Sequence, residues 1–190
     1  MANTHDDLRD IALAEFASAG YMGTSLQRIA ELAGLSKSSV LYHYASKEAL
    51  LDAALTPAVD AVGAVLARTA SAVESADSRA SFIADFVDCM LQYRLEIHIF
   101  INQSRALVDV PVMAKATDLV DGIAEYFHTQ NLPFEQKMRF GIALGGAAYT
   151  LASDPQISTL DTVPVEEVRA ALIAIVSELL STIPTSPAEQ

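Results

Sequence analysis

Apolar side chains return every third and fourth position along most of this chain, and the breaks between such runs fall at glycine, proline or clusters of small polar residues. Leu8, Ile11, Ala12, Phe16 and Ala19 make the first stripe. Thr4 can cap its start, Asp6 and Asp7 suit the positive end of its dipole, and Gly20 stops it. Leu26, Ile29, Ala30 and Ala33 repeat at i, i+3, i+4 and i+7, which puts them on one side of a short second helix. Thr24 with Gln27 fits a capping box at its start. Gly34 supplies the left-handed residue that ends it, Leu35 tucks in after the turn, and Ser36 can cap a third helix. On that helix Val40, Leu41 and Tyr44 fall together, leaving Ser38, Ser39, Tyr42 and His43 on the other side.

From Ser46 a fourth helix runs through Leu50, Leu51, Ala54 and Leu55 to about Arg68, with Pro57 expected to kink or divide it. The small polar stretch 71–78 precedes a fifth, carrying Phe82, Ile83, Phe86, Val87, Met90 and Leu91 in i, i+4 rows. The run from Leu95 to Ile101 alternates like a strand. A lone strand would have no partner in a chain helical everywhere else, so the run is read as helix. After Pro111 a helix turns Met113, Leu119, Val120, Ile123 and Phe127 inward and Asp118, Asp121 and Glu125 outward, until Asn131-Leu132-Pro133 breaks it. The next, from Phe134 to about Ser153, holds Gly141, Gly145 and Gly146 among alanines. A helical glycine costs about 1 kcal/mol relative to alanine, so something is expected to pack closely there. Past a loop from Asp154 to Pro164, the last helix sets Val168, Leu172, Ile175 and Leu179 in one stripe and Ile173, Val176 and Leu180 in a second, which calls for partners on two sides. One side is its own core. The other, with the small-residue helix before it, fits an isologous homodimer interface built as a four-helix bundle from Gly141, Gly145, Ala148, Val168, Leu172, Ile175 and Leu179. The expected organisation is all-α: a three-helix head over residues 1–47, a helical body over 48–184, and a loose tail over 185–190.

A helix, a turn around glycine and a second helix with a polar outward face is the helix-turn-helix arrangement, whose second helix can enter the DNA major groove. Small Ser38 and Ser39 let the backbone approach, and their hydroxyls can meet base edges or phosphates; Tyr42 has the reach for either. Lys37 and Lys47 sit at helix starts, where the dipole already favours an anion, and are candidate phosphate clamps. His43 joins the groove face, with Thr24, Ser25 and Gln27 assisting from the preceding helix. Over Thr24-Ser25-Leu26-x-x-Ile29-Ala30-x-x-Ala33-Gly34-Leu35-Ser36-Lys37 and Tyr42-His43-Tyr44-x-Ser46-Lys47-Glu48-Ala49-Leu50, the sequence resembles the tetracycline-repressor (TetR) family of bacterial transcription regulators. Where that family often carries Gly-Thr-Leu-Tyr, this chain has Ser38-Ser39-Val40-Leu41. The resemblance implies a ligand-responsive repressor that binds a palindromic operator as a homodimer and leaves it when a small-molecule effector occupies the body. It also implies that the fourth helix connects head to body and moves on ligand binding. A helical carrier or enzyme whose head no longer binds DNA is the alternative.

A net charge of -12 runs against binding to a polyanion. The acid is unevenly spread: residues 1–50 hold four basic and six acidic side chains, so most of the excess lies in the rest of the chain. The one cysteine, Cys89, excludes an internal disulfide, agrees with a reducing cytoplasm and reads as a small buried hydrophobe. No charge-free run reaches the ~20 residues of a bilayer span, the longest lying between Arg139 and Asp154, and no membrane partner is expected. His5, His43, His98 and His128 are scattered with no metal-ligand spacing, Asp118 with Asp121 reads as surface, and no nucleophile elbow or triad order occurs, so neither catalysis nor a metal or other cofactor is expected. A small-molecule pocket could be lined by Phe86, Met90, Tyr93, Phe100, Tyr126, Phe127 and Tyr149, with Asn102 or Gln103 orienting the ligand.

Overall fold

The structure, a computed structural model, describes residues 4–69, 75–129, 132–152 and 162–181. The side chains of Thr4 and Phe127, residues 71–74, Asn131, the loop after Ala152 and the tail 185–190 lie outside the described residues, with the expectations attached to them. Among the described residues the chain is all-helical: α1 (Thr4–Ala19), α2 (Leu26–Leu32), α3 (Lys37–His43), α4 (Lys47–Leu66), α5 (Ala76–Gln92), α6 (Arg94–Gln103), α7 (Pro111–Thr129), α8 (Phe134–Leu151) and α9 (Val165–Leu180), with a 3-10 turn at Ser104–Ala106. The alternating run at 95–101 is thus helical, as the lack of a strand partner requires.

Two compact units divide the chain. The first holds the described residues up to Asp60 together with Leu95–Thr117, so α6 and the start of α7 group with the amino-terminal helices across any cut at residue 47. Its core collects Leu8, Ala12 and Phe16 from α1, Ile29 and Ala30 from α2, Val40 from α3, Leu50, Leu51 and Leu55 from α4, and Ile97 and Ile99 from α6. Ala19, expected in the α1 stripe, is exposed. Gln103 fastens α6 to the end of α1: its amide donates to the Phe16 carbonyl at 2.9 Å and accepts from the Tyr21 N–H at 2.7 Å. Asp52 accepts from the Val112 N–H at 2.8 Å, satisfying a backbone donor in the first turn of α7. α4 runs on through Pro57 without division, and the ring costs it one backbone hydrogen bond. By length and composition α4 could cross a membrane, although it is not free of charge. Leu50, Leu51, Ala54, Leu55, Ala58 and Val59 are buried here, the pattern of a core helix.

The second unit holds Ala61–Arg94 and the described residues from Asp118 onward, where α9 packs on α5 and α8. Phe82, Ile83, Phe86, Val87 and Met90 of α5 meet Phe140, Ala143, Leu144, Ala147 and Leu151 of α8 and Val168, Leu172, Val176 and Leu180 of α9. The buried line on α9 therefore advances by four residues throughout, while Ile175 stands 55% exposed on the far side. Buried Arg79 donates to the Leu180 carbonyl at 3.0 Å, and Arg94 to the Leu151 carbonyl at 3.1 Å, each meeting a carbonyl that its helix end leaves open. Cys89 is buried, and burial pushes its thiol up to about 11. On α7, Leu119 and Ile123 are half-buried, but Val120, expected inward, is exposed because it lies one step round the helix from Leu119. Gly63 lets Leu119 come close, since a Cβ there would stand 3.2 Å from Leu119 Cδ2. Gly141, Gly145 and Gly146 behave otherwise: nothing among the described residues comes within 4 Å of a Cβ added at any of them. The close neighbour expected at these glycines is therefore not supplied by the chain's own described residues.

Candidate nucleic-acid interface

The turn between α2 and α3 sets this site. Gly34 at φ +66° reverses the chain, the Gly34 N–H reaches the Glu31 carbonyl at 3.1 Å, and the Leu35 N–H reaches the Ala30 carbonyl at 2.8 Å. These two bonds form a Schellman ending, which only a residue tolerant of positive φ allows without strain. Ser36 then starts α3, its hydroxyl accepting from the Ser39 N–H at 3.1 Å. At the other end of α2 the cap is Ser25, which accepts from the Arg28 N–H at 3.1 Å, and not Thr24 as the capping-box pattern suggested. Thr24 is turned back instead: it is 2% exposed and donates to the Gly20 carbonyl at 2.8 Å at the end of α1.

Val40 of α3 and Tyr44, which caps the helix, are buried one turn apart, and that line fixes the rest of the α3 surface. Tyr42 points away from it at 88% exposure, with Ser38 and His43 exposed and Ser39 half-buried. Leu35, Ser38, Ser39, Tyr42 and His43 line one shallow groove of about 440 Å³. The Ser36 hydroxyl lies 2.9 Å from that of Ser38 and 2.8 Å from that of Ser39, so the three serines at the start of α3 are tied together. Leu41, expected on the buried face, is 41% exposed, because it sits about 100° round the helix from Val40.

The remaining candidates are placed unevenly. Lys37 and Gln27 are exposed, and Gln27 donates to Glu31 at 3.0 Å. Lys47 is half-buried: its ammonium donates to the Tyr21 carbonyl at 2.9 Å and the Thr24 carbonyl at 3.0 Å and lies 4.0 Å from the centre of the Tyr21 ring. The Tyr21 hydroxyl donates to Glu48 at 2.8 Å; burial first, then this carboxylate, pushes the phenol up. Two features escaped the sequence reading. Leu35 is a wall of the groove, and His5 of α1 lies beside His43, with ring centroids 6.2 Å apart. Neither has a local sequence signal, since Leu35 reads as turn packing and His5 is 38 residues away in the chain.

The residues suggested for a ligand pocket fall in both units. Phe86 and Met90 are buried in the second unit, where Tyr93 and Tyr126 are half-buried and Tyr149 is 65% exposed. Phe100, Asn102 and Gln103 belong to the first unit, and Gln103 is occupied with α1. Of the interface candidates, Val168 and Leu172 face the core of their own unit, Ala148 and Leu179 are half-buried, and Gly141, Gly145 and Ile175 are exposed.

Residues 8–54 match the family described as bacterial regulatory proteins, tetR family. Over 49 residues the chain is 51% identical to the HTH-type transcriptional regulator RutR of Escherichia coli strain K12, a stretch that is 26% of this chain. The chain thus spans 23% of that relative's length. Solved structures share the fold over far more: the probable transcriptional regulatory protein RHA5900 at TM-score 0.68 and 21% identity, covering 93% of this chain and 98% of that one. The ketosteroid transcriptional regulator KstR2 of Mycobacterium tuberculosis does so at TM-score 0.67 and 15% identity, covering 98% and 97%. The match to the tetR family of bacterial regulatory proteins thus falls on α1, α2, α3 and the start of α4, the helices that build the site, and beyond residue 54 the likeness to solved structures is one of all-helical fold.

Proposed function

We propose that the protein is a homodimeric, ligand-responsive transcription repressor of the cytoplasm, which binds a palindromic DNA operator and releases it when a small-molecule effector occupies the helical body. One observation carries the reading: α3 buries Val40, with the capping Tyr44 beside it, and turns Ser38, Tyr42 and His43 to solvent, as a helix meant for a major groove must. Ser38, Ser39 and Tyr42 would meet base edges, while Lys37 and His43 would meet phosphates, with Ser25 and Gln27 at the margin. Two heads about 34–36 Å apart would read successive turns of the duplex, and an effector that favours another spacing would lower operator affinity by linkage. RutR and KstR2 bear the names of transcriptional regulators, which supports the reading. Support for self-association comes from α8 and α9. Phe134, Met138, Ile142 and Tyr149 are exposed on α8 along with Gly141 and Gly145, and Ile175 on α9, a surface that a second copy would cover.

A second reading, a carrier or enzyme whose head has lost DNA, draws on charge: the chain carries -12, and Arg9 and Arg28 of the head are paired with Asp6 and Glu15. Selection of bound fragments from a random duplex pool at low and moderate salt decides between them. Recovery of a two-fold symmetric sequence supports the operator reading, and recovery of none at either salt removes it.

A further inference from the structure

The end of α1 and the end of α6 enclose an open cavity of about 730 Å³, wholly within the first unit. Its volume falls in the range of small-molecule sites. Glycines shape one wall. Gly20 at φ +76° turns the chain out of α1, and a Cβ on Gly23 would collide with the Ala19 carbonyl oxygen, so the wall is bare backbone at both places. Met22 stands between them, exposed. The opposite wall is the end of α6 and the 3-10 turn after it, where Ile101 is half-buried and Ser104 and Arg105 are exposed. Asn102, expected from the sequence to orient a ligand, lines the same cavity, its amide held on the His98 carbonyl at 3.0 Å.

The backbone around Arg105 is fastened while its side chain is left to solvent. On one side Gln103 is bound through both ends of its amide, to the Phe16 carbonyl and the Tyr21 N–H, and on the other Leu107 is buried. No ion pair to Arg105 occurs among the described residues. Lys37 apart, the other Lys and Arg side chains described in this unit are engaged: Arg9 with Asp6, Arg28 with Glu15, Lys115 with Asp60, and Lys47 on two carbonyls. Arg105 is also the one charged side chain among the residues lining the cavity, in a chain with 24 acidic side chains to 12 basic. A guanidinium without a carboxylate, sharing a cavity with an exposed and adaptable thioether, is arranged for an anion that carries an apolar part.

We propose that this cavity binds a small organic carboxylate, which Arg105 grips through two parallel N–H bonds while Met22 and Ile101 cover its apolar part. The site is separate from the helices of the second unit and stands independently of the operator reading. Its place in the fold still gives occupancy a route to the head. Tyr21, on the cavity wall, donates its N–H to Gln103, accepts from Lys47 at the start of α4 on its carbonyl, and donates its hydroxyl to Glu48. A ligand bridging Arg105 and Met22 adds a second link, beside Gln103, between α6 and the turn that leads into α2. Binding to the folded chain alone raises its melting temperature.

The test uses the full chain, isotope-labelled at the methyl groups of its five methionines, with the Met22 signal assigned through Met22→Leu. Benzoate is the probe, benzamide its uncharged counterpart, and inorganic phosphate an anion with no apolar part. Benzoate should shift the Met22 methyl signal saturably, and benzamide and phosphate should bind more weakly by roughly tenfold or more. Arg105→Gln should weaken benzoate by a similar factor and leave the melt of the free chain unchanged, whereas Lys37→Gln, which also removes one positive charge, should leave benzoate binding as it was. Three results each overturn the proposal: no saturable shift at Met22, benzamide or phosphate binding as tightly as benzoate, or Arg105→Gln binding benzoate as the original chain does. A benzoate shift confined to Met90 places the ligand in the second unit and overturns it as well. No DNA enters the experiment, so its failure leaves the operator reading standing.

Discussion

Replacing Lys47 by methionine keeps the stem of the side chain and removes its ammonium. Two hydrogen bonds go with it, at 2.9 Å to the Tyr21 carbonyl and 3.0 Å to the Thr24 carbonyl, and so does the contact 4.0 Å from the centre of the Tyr21 ring. A hydrogen bond to a charged group contributes about 1.5–3 kcal/mol and an exposed cation–π contact about 0.5–1. The site is half-buried, so water and the Thr24 N–H, 3.3 Å from the Tyr21 carbonyl, recover part of the loss. A net destabilisation of about 2–3 kcal/mol follows, most of it from the turn joining α1 to α2. For a chain of this size that lowers the melting temperature by roughly 4–12 °C. Urea unfolding and thermal melts followed by circular dichroism measure it. A phosphate clamp makes the opposite forecast: unchanged stability, with a salt slope for duplex binding shallower by about 0.9 per subunit. Lys47→Met unfolding within about 0.5 kcal/mol of the original chain would refute the strap and return the ammonium to the duplex.

Tyr42→Ala should abolish sequence-specific duplex binding in a gel shift and leave the melt unchanged to within about 0.5 kcal/mol, because the side chain is 88% exposed. A retained shift would take Tyr42 out of the interface. Glu96 offers a pH signature: burial, and to a lesser extent Asp10, raise its carboxyl above the ordinary range. A raised folded-state value means stability present at low pH and lost as pH climbs through that value. Glu96→Gln should accordingly be more stable than the original chain at neutral and higher pH, with the difference closing near pH 4, in urea titrations across that range.

The elements were legible because their signals are local. The Leu26, Ile29, Ala30 pattern, the Gly34 reversal and the Ser36 cap each involve residues within four positions of one another, and each stands in the structure as read. Errors came where two neighbours competed for one role. Thr24 and Ser25 can both cap α2, and the choice was made by the Gly20 carbonyl, which claims the Thr24 hydroxyl. Val40 and Leu41 are adjacent apolar residues on a helix of two turns, and the line through Val40 and Tyr44 left Leu41 outside. Long-range pairing was invisible for a different reason. Lys47 meeting the Tyr21 carbonyl, and His5 meeting Tyr44, join positions 26 and 39 residues apart, and no periodicity connects them. Phosphate clamp and internal strap need the same cation at the same helix start, so the sequence pattern does not distinguish them.

The glycines of α8 separate folding from assembly in a single substitution. Within the chain, a Cβ at Gly145 would meet nothing within 4 Å, and a glycine inside a helix is less favourable than alanine by about 0.8–1 kcal/mol. Gly145→Ala should therefore stabilise α8 by about that amount when the protein is dilute enough to be monomeric. If a second copy lays a helix against this exposed stripe, the same methyl group holds the two backbones apart and weakens association, so a gain in helix stability would accompany a loss of dimer. Sedimentation equilibrium reads the second quantity and urea unfolding across protein concentrations reads the first. A variant that is more stable and dimerises as tightly as the original chain would mean that Gly145 lies outside any close helix–helix contact. The self-association surface would then have to be sought elsewhere on the chain, beginning with exposed Ile175 on α9.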